Sequence, residues 1–496
     1  MRTTPASGKN DRVAWTAVVA ALALCSILSV SVPPAFAQTP ASDAQRYSSL
    51  FQNVYSFILQ NYVDEVDPKV LYEGAMKGML DALNDPYSTF LDTAAMSDLQ
   101  DTTVGQYGGI GLYISKTPPS SRLPGEEPWV EVVSPIEDTP GWRAGIQPGD
   151  WISEIDGVST APLAMDEVLK KLRGAPGSTV VLTIRRGESI TFPVAIVRAL
   201  IEVPSVKRAM MPNRTGYLRI IEFNPQTTAR VREALEEFKS QGARALIIDL
   251  RNNPGGLLSA VIDTADLFLD SGLIVSTKSR TPYENQIYRA KPDLVAPRDW
   301  PVVVLINRGS ASASEILAGA LKDQKRAYLV GERSYGKGAV QQIFPLGETG
   351  FKLTMSRYYT PSDANIDKVG ILPDLEVKEP ELSEKEAEEL SRLLEQRTFA
   401  NFAKENPDAT EPERKAFVRK LRDSGVQLSE RLLERLVRNE LQRTTIAPAY
   451  DLEYDIQLQE AVRLIDQGRI RELLSASRTV RESQDLAAAS VTAPKP

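Results

Sequence analysis

The sequence predicts a mixed α/β protein, and three patterns carry that prediction. Two segments with no polar face, Ala245 to Leu250 and Pro301 to Ile306, each run into a helical pattern, as expected of parallel strands covered by helices. Residues 98–200 read instead as short strands separated by turn residues, with one helix among them. Both ends of the chain carry apolar residues at helical spacing against polar or charged faces.

The chain has 496 residues, a formal net charge of −7, 42% hydrophobic and 25% charged residues. This fits about two to four globular domains and lacks the basic excess of a nucleic-acid binder. It contains no histidine and one cysteine, Cys25. No Ser-His-Asp triad can exist in it. Once residues 1–37 are removed, thiol catalysis, disulfides and Cys or His metal sites are excluded as well, so neither metal nor cofactor is expected.

Residues 1–37 have a basic start, an apolar stretch from Val13 to Val32 and the small-x-small pattern Ala35-Phe-Ala37, which reads as a cleaved secretory signal. An uncleaved membrane anchor is the alternative, because the apolar stretch is nearly long enough to span a bilayer. A lipoprotein reading through Cys25 is weaker, with bulky Leu24 before it. Residues 38–97 form an N-terminal helical region in which 38–46 are polar and expected to be flexible. Leu50, Phe51, Val54, Tyr55, Ile58, Leu59, Tyr62 and Val63 then fall at helical spacing, and a second helix is expected from about Pro68 to Leu83. Asn84-Asp-Pro-Tyr-Ser-Thr-Phe-Leu91 breaks the pattern.

Within residues 98–200, strands are expected at Gly109 to Ile114, Trp129 to Val133, Trp151 to Ile155, Thr179 to Arg185 and Ile190 to Val197, with a helix over Pro162 to Leu172. Residues 201–380 open with a strand over Gly216 to Phe223, a helix over Thr228 to Lys239 and the apolar strand ending in Asp249-Leu-Arg-Asn-Asn-Pro-Gly-Gly-Leu257. The strand Pro301 to Ile306 turns at Asn307 to Gly309 into the helix Ser310 to Lys322, so a cluster of serines stands at a strand-to-helix junction. Free N–H groups and the positive end of a helix dipole favour developing negative charge there. Lys337 lies between Gly336 and Gly338 ahead of a strand on which Ala339 and Gln341 share its face.

A serine nucleophile needs a base, and without histidine a lysine remains, provided its pKa falls well below about 10.4. Plainer readings stand beside this. Ser312 with Glu315 is also a capping box, Lys337 could be a solvated loop lysine, and Ser334-x-x-Lys337 is a second serine–lysine spacing. Beyond residue 380, charged amphipathic helices are expected at 383–400, 411–423, 429–442 and 455–467. They make up a C-terminal helical region, 381–475, and residues 476–496 read as a disordered tail.

Asn307-Arg-Gly-Ser-Ala-Ser-Ala-Ser-Glu-Ile, followed by Gly336-Lys-Gly-Ala-Val-Gln, resembles the catalytic core of the carboxyl-terminal processing proteases. The resemblance implies that Ser312 is the nucleophile, Lys337 the general base and Gln341 the residue that positions the lysine. It implies oxyanion donors at Gly256 and Ala313, on a crotonase/ClpP-like serine protease core. Residues 98–200 resemble a PDZ domain through Gly109-Ile-Gly-Leu112, Ala144-Gly-Ile-Gln-Pro-Gly-Asp150 and Arg173-Gly-x-x-Gly177. In such a domain Gly109, Ile110, Gly111 and Leu112 would bind a peptide carboxylate. The resemblance covers about residues 45–380 and does not require about 397–448. It implies a periplasmic or secreted serine endopeptidase acting on proteins with accessible C-termini, a homo-oligomer formed through terminal helices, and a possible adaptor protein. A catalytically silent PDZ scaffold that binds protein C-termini is the rival reading.

Overall fold

The computed structural model describes residues 40–93, 95–96, 106–116, 129–136, 139–147, 149–187, 190–202, 204–292, 294–380, 382–442 and 448–492. The signal-peptide expectation at 1–37 lies outside them. The chain divides into two compact units, 1–82 and 83–496. In the first, α1 (Pro40–Asn61) and α2 (Pro68–Asp81) form a helical pair, tied where Tyr55 donates to the Pro68 carbonyl (3.0 Å). Asp67 caps α2 by accepting from the Lys69 N–H, and Pro68 occupies the first turn, where a missing N–H costs nothing. The flexible start expected for 38–46 is instead helical from Pro40, continuous with the apolar spacing that follows. Tyr47, Phe51, Val54 and Phe57 remain exposed.

The second unit begins with β1 (Thr89–Leu91) and β2 (Gln106–Gly109). Next come β3 (Leu112–Ser115), β4 (Val130–Pro135), β5 (Trp151–Ile155), β6 (Val158–Ser159), helix α3 (Met165–Leu172), β7 (Thr179–Arg186) and β8 (Ile190–Val197). These strands make an antiparallel sheet in the order β3-β4-β5-β7-β8, with β6 on β5. Val130, Val132, Ile152, Ile155, Leu182 and Ile184 bury its inner face against Val168 and Leu172 of α3. Strand β9 (Ala199–Glu202) returns to pair with β2.

A six-stranded sheet is built from β10 (Val206–Met210), β11 (Thr215–Ile220), β12 (Ala245–Asp249), β15 (Val302–Ile306), β16 (Tyr328–Gly331) and β19 (Leu375–Glu376), in that order. Its pairings are parallel except β10 with β11. Period-2 side-chain direction, with both faces covered, explains why β15 is apolar throughout and β12 is apolar up to Asp249. Leu246, Ile248, Val302, Val304 and Ile306 face the cluster formed with α4 (Thr227–Ser240), α5 (Leu258–Asp266) and α6 (Ala313–Asp323). Ile247, Val303 and Leu305 point the other way. A second, antiparallel sheet runs β1-β18-β13-β14, where β13 is Leu273–Ser279, β14 Gln286–Arg289 and β18 Thr349–Tyr359, with β17 (Ala339–Leu346) on β18.

The expected C-terminal helical region is two structures. Helices α7 (Glu384–Glu395), α8 (Thr398–Glu405), α9 (Glu411–Asp423) and α10 (Glu430–Leu441) close around their own core of Phe399, Val418, Leu428, Leu433 and Val437. By contrast α11 (Ile456–Asp466) and α12 (Ile470–Ala476) place Leu458, Ala461, Leu464 and Ile470 on the second face of the six-stranded sheet. The disordered tail expected for 476–496 is corrected by a helix, α13 (Val480–Thr492). Val480 is 1% exposed within the core, and its N–H donates to Asp323 at the end of α6 (2.7 Å). Docking of Val480, with further hydrogen bonds from Arg481 to Ser362 and Asp363 and from Gln484 to the Asn365 carbonyl, orders a segment whose composition carries no wide apolar stripe.

Candidate active site

Ser312 stands at the junction of β15 and α6 with φ +56° and ψ −115°, a conformation a non-glycine residue adopts only when its surroundings enforce it. The turn is held by Ser310, whose hydroxyl donates to the Leu250 carbonyl (2.8 Å), and by the Ala311 N–H and Ser314 hydroxyl, both donating to the Asn253 carbonyl. Glu315 completes it. One of its carboxylate oxygens accepts from the Ser312 and Lys337 N–H groups (both 2.9 Å). The other accepts from the Ser334 hydroxyl (2.6 Å) and the Gly336 N–H (2.7 Å). The capping reading therefore holds for half of the pair, since Glu315 caps the Ser312 N–H while the serine hydroxyl caps nothing. That carboxylate also fastens the serine turn to the lysine loop. Burial raises its pKa above the ordinary carboxylate range, although all four donors oppose the rise.

The Asn252-to-Gly256 loop lies directly against this turn. A Cβ on Gly255 would stand 2.7 Å from the Ser312 Cβ and 3.0 Å from the Ala313 nitrogen, and its φ of +107° adds strain for any other residue. Among the described residues the N–H groups of Gly256 and Ala313 have no hydrogen-bond acceptor within the chain. Below the loop, Asp249 is 1% exposed and accepts from Tyr217 (2.7 Å) and Arg251. Burial pushes its carboxyl up, and the Arg251 charge with these hydrogen bonds more than reverses that. Arg251 also pairs with Asp455, the N-cap of α11 (2.6 and 2.8 Å).

Lys337 is half-buried. Burial chiefly, then the nearby Lys352, holds its ammonium below the usual lysine range, while Asp85 and Glu315 oppose this. Its Nζ lies 4.8 Å from the centroid of the Tyr87 ring. Tyr358, fully buried, donates its phenol to the Lys337 carbonyl. The Gln341 amide donates to the Ala339 carbonyl (3.1 Å), and among the described residues it makes no hydrogen bond to Nζ. Ser334 is occupied structurally, its hydroxyl donating to Glu315 and accepting from the Ile371 N–H (2.7 Å). That use disfavours it as the partner of Lys337.

Elsewhere, β3 is an edge strand, paired only with β4 among the described residues. Gly109 ends β2, and Ile110 and Gly111 form the connection to Leu112. Their carbonyls are taken by Gly141 N–H, Ile136 N–H and the Thr139 hydroxyl, which leaves the Ile110 and Gly111 N–H groups without an acceptor among the described residues. Gly111 has φ +75°, and a Cβ there would meet Thr139 at 2.3 Å.

Comparison with known families matches residues 214–377 to "Peptidase family S41", 131–186 to "PDZ domain" and 34–95 to "Activating protease CtpB N-terminal domain". The carboxy-terminal-processing protease of Bartonella bacilliformis is 39% identical over 351 residues, 69% of this chain and 78% of that protein. The chain belongs to the carboxyl-terminal-processing proteases of family S41. The carboxyl-terminal-processing protease of Synechocystis is likewise 39% identical, over 315 residues, covering 62% and 71% of the two chains. Among solved structures, the photosystem II D1 C-terminal processing protease is 30% identical, with 66% and 92% coverage and a TM-score of 0.40.

Membership makes the chain a serine-type peptidase. Three features of its site escape motif reading. Glu315 has a cap spacing that conceals its second role. Tyr87 and Asp455 reach the site from 250 residues before Lys337 and 204 residues after Arg251, so no local pattern signals them.

Proposed function

We propose that the protease uses Ser312 as nucleophile and Lys337 as general base. The observation that carries this reading is the Glu315 carboxylate, which binds the N–H groups of both residues at 2.9 Å and so registers one backbone against the other. Neutral Lys337 takes the Ser312 hydroxyl proton as Oγ attacks the scissile carbonyl carbon. The Gly256 and Ala313 N–H groups stabilise the resulting oxyanion. The lysine ammonium then gives its proton to the leaving nitrogen as the C–N bond breaks. Water hydrolyses the acyl-serine with the same base, restoring both residues. Gln341, through the Ala339 carbonyl, steadies the strand that follows the lysine.

Substrate selection belongs to the PDZ domain. An extended C-terminal tail adds to the free edge of β3 with its carboxylate at the Gly109-to-Leu112 connection, where two N–H groups are available. The exposed aromatic and aliphatic residues of α1 fit self-association, and α7–α10 offer a surface for an adaptor. Residues 1–37 direct secretion, which places the enzyme and its substrates in the periplasm. Among the described residues no helix is long and apolar enough to cross a membrane.

The test is cleavage of an unstructured protein with an apolar C-terminus by the full chain. Ser312→Ala and Lys337→Ala should each lower turnover by about 10⁴-fold or more while circular dichroism stays unchanged, because the two residues act as a unit. Gln341→Ala should be milder. Substantial turnover by the folded lysine variant would remove the dyad. Mass spectrometry of the secreted enzyme should find Gln38 as the first residue.

A further inference from the structure

The contact between Lys337 and Tyr87 is built rather than incidental. Asp85 accepts from the Tyr87 N–H (3.0 Å) and from the Ser88 hydroxyl (2.6 Å). Ser88, 4% exposed, in turn accepts from the Thr354 N–H of β18 (3.0 Å), and Thr89 to Leu91 pair along the same strand opposite Lys352 to Gly350. β18 also pairs with β17, which starts two residues after Lys337. The tyrosine ring is thus fixed over a lysine that lies some 250 residues away in sequence, and at 4.8 Å the ammonium is well inside the roughly 6 Å range of a cation–π attraction.

We propose that Tyr87 is a positioning residue for the base: its ring face holds the charged form of Lys337 in place in the resting enzyme, and this hold is given up when the lysine becomes neutral and takes the serine proton. A ring quadrupole attracts an ammonium and not an amine, so the contact selects one protonation state. The other groups around Lys337 and the ring are Asp85 beside the tyrosine, Lys352 and Tyr358 on β18, Glu315 on α6, Tyr335 in the lysine's own loop and Asp367, which accepts from the Gly338 N–H. Burial and Lys352 favour the amine; Asp85, Glu315 and the ring favour the ammonium. The Glu315 oxygens are already taken by four donors. Burial and the Tyr335 hydroxyl push the Tyr87 phenol up to about 12, so the ring stays neutral over the working range.

The proposal rests on Lys337 being the base, and the experiment separates the two ideas. The full chain as wild type, Tyr87→Leu, Tyr87→Phe and Lys337→Ala is assayed for kcat/KM on a short peptide from mildly acidic to alkaline pH. Leucine keeps an apolar wall and removes the π face. Its rising limb should move to lower pH by about half a unit, with a gain of about threefold at neutral pH and the same alkaline plateau. Phenylalanine should restore the wild-type limb. A Tyr87→Leu limb that is unmoved or displaced to higher pH, in enzyme that Lys337→Ala inactivates, overturns the positioning role and leaves the dyad standing. Wild-type activity in Lys337→Ala overturns the dyad and the proposal together.

Discussion

At the residue scale, the carboxylate of Glu315 is the part of the site that motif reading understates. Glu315→Gln replaces one acceptor oxygen with an N–H₂ group facing backbone donors, so it should cost about 2–3 kcal/mol in urea denaturation. The same change should lower kcat by about 100-fold with little change in KM, because it loosens registration rather than binding. Lys337 supplies a pH test. Its pKa is lowered in the fold, so between that lowered value and the ordinary lysine value near 10.4 the unfolded chain binds more protons and stability rises with pH. Below the lowered value the desolvation penalty is present in full. Thermal unfolding of Lys337→Met should therefore gain less between neutral and alkaline pH than wild type does, and equal slopes would contradict a depressed lysine. Ser312 and Lys337 were legible as candidates because their flanking residues form long motifs. Tyr87 was not, since a tyrosine after Asp85-Pro86 declares nothing about a lysine in a loop some 250 residues later.

At the element scale, the apolar runs Ala245–Ile248 and Val302–Ile306 announced two-sided burial, and the structure places helices on one face as expected. What covers the other face was not legible, because α11 looks like any charged amphipathic helix until Leu458, Ala461 and Leu464 are seen against Val303 and Leu305. This divides the C-terminal region functionally. Removing residues 449–492 should expose that face and leave the protein insoluble, whereas replacing 384–441 with a short linker should leave peptide cleavage intact. Fractionation and activity assays distinguish the two. The Asp249–Arg251–Asp455 network makes the finer claim. Asp455→Ala should cost about 1–3 kcal/mol of stability. It should also reduce kcat more than it raises KM, because Arg251 anchors the loop carrying Gly256. Unchanged kinetics in the stable fraction would confine Asp455 to holding α11.

At the scale of the whole molecule, the proposed function divides the work between cleavage at Ser312 and selection of the chain end at the β3 edge. If the β3 edge reads a carboxylate, amidating the C-terminus of a tail peptide should weaken binding to the full-length Ser312→Ala protein by about tenfold or more, measured by calorimetry. Equal affinity for acid and amide would leave β3 as a strand-pairing edge without end recognition. The helical pair α1–α2 makes a separate expectation. Exposed Phe51, Val54 and Phe57 should be covered by a second copy, so replacing all three with serine should shift sedimentation toward monomer.

The central claim is that Lys337 activates Ser312, and covalent labelling reads that event without depending on substrate choice. Wild-type enzyme and Lys337→Ala are treated with a fluorophosphonate across pH and the adduct is mapped by mass spectrometry. A single adduct on Ser312 is expected, its rate of formation rising with pH in wild type and falling to background in Lys337→Ala. An adduct on another serine, or equal labelling of Ser312 without the lysine, would contradict it.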